Sequence, residues 1–115
     1  MSDTSEDEIE WDSTDKFVMP VIPEELRIDP KTLAILHCVS FLELSGDNTV
    51  DPDWAVEAME HVAHYLQRLS PADLVRMRAE FETIASHAQS HQMAPDFVDL
   101  ARRFTEYAGL EVEDR

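Results

Sequence analysis

Residues 51–93 read DPDWAVEAMEHVAHYLQRLSPADLVRMRAEFETIASHAQSHQM, and this stretch decides the fold. It opens on Asp51-Pro52, and Ser70-Pro71 stands near its middle. A side-chain acceptor followed at once by proline is a helix start. The acceptor takes up an orphan backbone N–H, and proline at the first helical position forfeits no hydrogen bond. After each start the apolar residues recur at helical spacing. Ala55, Met59, Val62, Leu66 and Leu69 step by 4, 3, 4 and 3, and Leu74, Met77, Phe81, Ile84 and Ala88 by 3, 4, 3 and 4. Each set places one stripe on one face, as a helix packing on a core requires. Asp73 stands three residues after Ser70, in a capping-box position. The turn between the two segments leaves almost no linker, which predicts an antiparallel hairpin of the two helices.

The same device recurs on either side. DPKTLAILHCVSFLEL at 29–44 has Asp29 as cap, Pro30 at the first position and Gly46 just beyond its end. APDFVDLARRFTEYAGL at 94–110 starts at Pro95 behind a poor cap, Ala94, and stops at Gly109. Its stripe is Phe97, Leu100 with Ala101, Phe104 and Tyr107. The expectation is an all-α, compact bundle of about four helices, near 30–45, 52–69, 71–92 and 95–108. The first helix is apolar nearly all round from Leu33 to Leu42. Such a helix is either central to a bundle or half covered by a second copy, so a homodimer through it is one expectation.

Ahead of the helices, FVMPVIPEEL begins at residue 17. Pro20 and Pro23 forbid a regular helix there and push the preceding residues toward extended geometry. Five large apolar residues in this segment predict an extended arm over 17–28, packed on the bundle or docked on a partner. Residues 1–16 carry seven acids and one lysine, with Ile9 and Trp11 as the large apolar groups. That composition predicts a disordered acidic tail and a single helical domain over 17–115.

Charge excludes more than it selects. Twenty-five acids against nine bases give a net charge of −16, of which the tail accounts for −6. The folded part is therefore acidic in its own right. Such a surface repels nucleic acid and anionic membranes, and attracts basic proteins. One cysteine, Cys38, excludes an internal disulfide and a multi-cysteine metal site, and within the apolar helix it reads as a buried, inert thiol. The N-terminus has no basic-then-apolar export pattern and residues 32–42 are too short to span a bilayer, so a soluble, cytoplasmic protein is expected.

No catalytic motif is present, so no catalytic residue and no cofactor are assigned. His61 with His64, and His87 with His91, are spaced for two ligands on one helical face. In the expected hairpin the two pairs lie about 15 Å apart and cannot share a metal. His87 and His91 with Asp51 or Asp53 would make the alternative, a metal-dependent enzyme or sensor. Neither Glu-x-x-His nor His-Glu-x-x-His occurs, so no metal ligand is assigned.

The acidic residues between Lys31 and Arg68 carry more information. Glu43, Asp47, Asp51, Asp53, Glu57 and Glu60 follow one another with no base among them. Asp53, Glu57 and Glu60 share one helical stripe, at steps of 4 and 3. The helix dipole favours an acid only in the first turn, so it explains Asp53 and hardly Glu60. Like charges at this spacing repel, so the stripe is either a plain solvated face or one that a cationic partner compensates. Trp54 and Tyr65, in register with Ala58 and His61, lie on a second face beside the core stripe. Either they pack into the core or under the arm, or they anchor a partner, since Trp and Tyr dominate binding hot spots.

In composition the chain is similar to the small acidic immunity proteins that bacteria make against their own toxins: single-domain, cysteine-poor and strongly negative. The likeness is one of class and transfers no residue. It implies a non-catalytic protein that neutralises a basic partner such as a toxin domain; the charge and aromatic pattern, not the likeness, nominates Asp53, Glu57, Glu60, Glu43, Asp47, Asp51, Trp54 and Tyr65 as the binding residues. The other class is a regulatory or adaptor module switched through Ser2, Thr4 and Ser5, which precede acids in the tail.

Overall fold

The computed structural model describes residues 15–110, and the tail expected before them lies outside that range except for Asp15 and Lys16. Four α-helices follow a single 3-10 turn at Glu24–Leu26: α1 Pro30–Leu44, α2 Pro52–Leu66, α3 Pro71–Ser90 and α4 Pro95–Tyr107. Among the described residues there is no strand. Each helix starts at the proline that marked it. Asp29 Oδ1 accepts from the Lys31 N–H at 2.8 Å, Asp51 Oδ1 from Asp53 at 2.9 Å, and Ser70 Oγ from Asp73 at 3.2 Å. Ala94 supplies no side-chain cap.

The ends differ from expectation by one to three residues, and the causes are local. Pro71 holds Ser70 extended (ψ 155°), so α2 cannot run into the turn. It tightens instead, with Arg68 N–H donating to Tyr65 O and Leu69 N–H to Leu66 O, both at 3.0 Å. At the end of α3 the Met93 N–H donates to Ala88 O and the Gln92 N–H to Gln89 O, with Gln92 left-handed at φ 57°. This is a Schellman closure built on glutamine. α4 closes in the same way on Gly109 (φ 70°), Leu110 N–H donating to Thr105 O, and Leu110 is buried.

The core is built on α3 and α4. Leu74, Met77, Phe81, Ile84, Ala85 and Ala88 of α3 meet Phe97, Leu100, Ala101 and Phe104 of α4, all buried. Phe81 and Phe104 meet edge to face, with centroids 5.4 Å apart. Arg102 of α4 reaches back to Glu82 of α3, as an antiparallel pair requires. Tyr107, expected in the α4 stripe, is instead more than half exposed and donates its hydroxyl to Asp99 at 2.7 Å.

The expected hairpin of α2 and α3 is not formed. α3 spends its apolar face on α4, and α2 lies mainly against α1. α1 packs against all three other helices, with Leu36, Val39, Thr32 and Ser40 buried. Its opposite side stays open: Ala34, His37 and Cys38 are exposed, which corrects the expectation of a buried thiol. The arm over 17–23 forms no regular element, and its inward residues step by two and then, across Pro20, by three. Phe17, Met19 and Ile22 pack on the core while Val18 and Val21 point outward. Phe17 stacks on Phe97 at 5.9 Å and its N–H donates to Ser45 Oγ at 3.0 Å. Asp15, assigned to the tail from sequence, is fastened: its carbonyl accepts from Gly46 N–H at 2.7 Å and Oδ2 from Asn48 N–H at 3.0 Å. A side chain at Gly46 would collide with the Asp15 carboxylate.

Candidate protein-interaction surface

α2 presents the residues singled out from sequence. Its inward stripe is only partly sealed: Ala55 and Leu66 are buried, while Met59, Val62 and Leu69 are half-buried. Because α2 leans on α1 and not on α3, the faces flanking that stripe stay open. Trp54 is 73% exposed and Tyr65 59% exposed. They are therefore neither core residues nor covered by the arm. Asp53, Glu57 and Glu60 are exposed on the adjoining face.

The remaining acids divide. Glu43 and Asp47 are exposed at the end of α1 and in the loop after it. Asp51 is used by the fold, accepting from the N–H groups of Asp53 and Trp54 at 2.9 and 3.4 Å. Its carboxylate is a helix cap before it is anything else.

Charge compensation is uneven across the molecule. On α3 and α4 the acids Asp73, Glu82 and Asp99 each find an arginine. Arg102 grips Glu82 through two parallel bonds of 3.0 and 3.1 Å and reaches Gln89 at 3.2 Å. These bonds hold the Glu82 carboxyl below its ordinary range. Arg103 pairs with Asp99 at 3.2 Å and Arg76 with Asp73 at 3.1 Å. The Tyr107 hydroxyl is pushed above the usual phenol range, because its proton is held in the hydrogen bond to Asp99 and ionising it would lose that bond. On α2 no such pairing exists for Glu57 or Glu60 among the described residues. The basic side chain near this face is Arg68, and it lies over the Tyr65 ring, 5.0 Å from the centroid.

His87 and His91 stack with centroids 4.1 Å apart, and His91 Nδ1 donates to the His87 carbonyl at 2.9 Å. The pair closes the α3 end. Among the described residues no three His, Cys, Asp or Glu side chains are grouped to hold a metal. Because α2 does not lie along α3, nothing brings Asp51 or Asp53 toward these rings.

Glu80 is a polar residue that the sequence did not single out. Half-buried on α3, it accepts from the Asp29 N–H at 3.0 Å and from the buried Thr32 hydroxyl at 2.5 Å. It thereby fixes the start of α1 against α3. The cleft around it, between α1, the end of α2 and α3, holds about 180 Å³. Small-molecule sites run from about 300 to 1,000 Å³, so this space is better read as a seam between helices. No periodicity could reveal it, since Glu80 finds its partners only after α1 has docked.

Compared with known proteins, the chain matches no family model, no curated protein and no solved structure. Among the described residues no helix is long and apolar enough to cross a membrane.

Proposed function

We propose that the protein is a non-catalytic acidic binding protein that neutralises or masks a basic protein partner, in the manner of a toxin-neutralising immunity protein. The observation that carries this reading is the juxtaposition on α2 of two exposed aromatic rings with carboxylates that have no base to compensate them. Exposed Trp and Tyr forgo burial in the core and are the side chains that best anchor a partner. Unpaired carboxylates beside them steer and orient a cationic surface. Glu43 and Asp47 extend the same sign of charge along the neighbouring loop.

The test is capture from native lysate by the wild-type chain and by the Asp53→Asn, Glu57→Gln, Glu60→Gln variant. The expected partner is basic, is released by raised salt, associates more slowly with the variant and dissociates faster from Trp54→Ala. A partner whose affinity ignores salt and all of these substitutions would overturn the reading.

Self-association through the open side of α1 is the second reading, favoured by the exposure of Ala34, His37 and Cys38 on an otherwise apolar helix. Sedimentation of the full chain against Ala34→Glu decides it: a dimer lost in the variant supports it, and a wild-type monomer at high concentration excludes it.

A further inference from the structure

We propose that the outward aromatic face of α2 reads arginine, the partner's anchor being an arginine laid on the Trp54 indole with its guanidinium edge toward Glu57. This rests on the basic-partner reading above and names the chemistry that the partner must present.

The two rings of the face are in different states. Tyr65 already carries a cation: Arg68, three residues further on, stands over its ring at 5.0 Å, and His64 meets it edge-on at 5.6 Å. Trp54 has neither a ring nor a cation against it among the described residues, and it is the more exposed of the two. At the position three residues on, where Tyr65 has Arg68, Trp54 has Glu57. Residues three apart lie on the same side of a helix, about 5–6 Å apart at Cβ. One turn of α2 thus offers an open π face and a carboxylate with no cation between them. The missing member has to come from outside.

Arginine fits this gap and lysine fits it poorly. A guanidinium is planar and weakly hydrated, so it stacks flat on an indole while its N–H edge reaches a carboxylate. An ammonium is a compact, strongly hydrated charge that gains little from the ring and answers mainly to the field. The carboxylates of α2 attract both, and only the ring tells them apart. Tyr65 lies about 16 Å further along the helix, at 1.5 Å per residue. With Arg68 on its face, its role is to flank the site.

Hepta-arginine and hepta-lysine peptides of equal charge, labelled at one end, test this by fluorescence anisotropy on the full chain at low and physiological salt. The arginine peptide should bind roughly two- to five-fold tighter, the range of one exposed cation–π contact. Trp54→Leu should erase that preference and leave salt-dependent binding of both peptides, and Trp54→Phe should keep part of it. The ring is outside the core, so unchanged circular dichroism should accompany both variants. Equal, salt-dependent binding of the two peptides would overturn the arginine site and leave the acidic surface standing. A preference that survives Trp54→Leu would also overturn it. Binding of neither peptide would remove the basic-partner reading itself.

Discussion

If Glu57 and Glu60 serve a partner and not the fold, removing their charge should cost the free protein nothing. In Glu57→Gln/Glu60→Gln two like-charge contacts disappear, Asp53 with Glu57 and Glu57 with Glu60. Each such helical pair is worth about 0.2–0.5 kcal/mol of repulsion, so their loss is worth about 0.4–1 kcal/mol. Glutamine and glutamate have nearly equal helix propensity, so no term of opposite sign enters from the backbone. Asp53 is retained because an acid in the first turn is favoured by the dipole. Both glutamates are exposed. The variant should therefore be as stable as wild type or up to about 1 kcal/mol more stable, a rise of a few degrees in Tm for a domain of this size. Urea unfolding and thermal melts at about 0.01 M and about 1 M salt measure it, since the screening length falls from about 30 to about 3 Å between them. The gain should shrink in the high-salt arm. A variant less stable by 1 kcal/mol or more, or a gain indifferent to salt, would refute the reasoning and return the stripe to the fold.

Three further outcomes are expected. Gln92→Gly should stabilise by about 0.5–1 kcal/mol in urea titration, because Gln92 holds a left-handed conformation that glycine adopts without steric cost, less the backbone entropy glycine loses. Ser40→Ala should stabilise by about 1 kcal/mol, since the fully buried Ser40 hydroxyl has no partner among the described residues, and a comparable loss would show an unseen bond. Arg102→Gln should destabilise by at most about 1 kcal/mol at neutral pH, as befits an exposed pair. Because Arg102 lowers the Glu82 carboxyl beneath its ordinary 4.5, that contribution is present above this value and is lost as pH falls through the lowered one. The gap between wild type and variant should close in acid.

Helix starts were legible in the sequence because proline and its preceding cap are local devices. Every one of the four prolines heads its helix. The stripe of α3 was legible for the same reason, as Phe81, Ile84 and Ala88 need only the helical period to share a face. Which helix that stripe meets is not a local property. α2 follows Ala55 with half-buried Met59 and Val62, whereas α4 offers Phe97, Leu100, Ala101 and Phe104, a stripe buried throughout. The better-filled interface took α3, and chain proximity across Ser70 did not decide it. The open side of α1 was illegible for the complementary reason. A helix apolar all round carries no mark of the side left uncovered, so Cys38 emerged where burial was expected. The candidate site was legible as a set of residues, and the exposure of Trp54 and Tyr65 became visible only once α2 had been placed.

That placement links fold to function. α2 is capped by Asp51 at one end and stopped by the Ser70-Pro71 turn at the other, with Ala55 and Leu66 as its buried residues between them. A helix of this length could bury a continuous stripe, and burying one further large side chain is worth about 1.5–3 kcal/mol. Here two aromatic rings stand outside the seal instead. The groups that hold the domain together, the α3–α4 core, the Arg102 fork and the Glu80 anchor, lie on other elements. Exposed rings and uncompensated acids thus converge on the helix that the core uses least. They can be changed with little loss of stability, and a surface that the fold does not need is where a partner's contacts can be built.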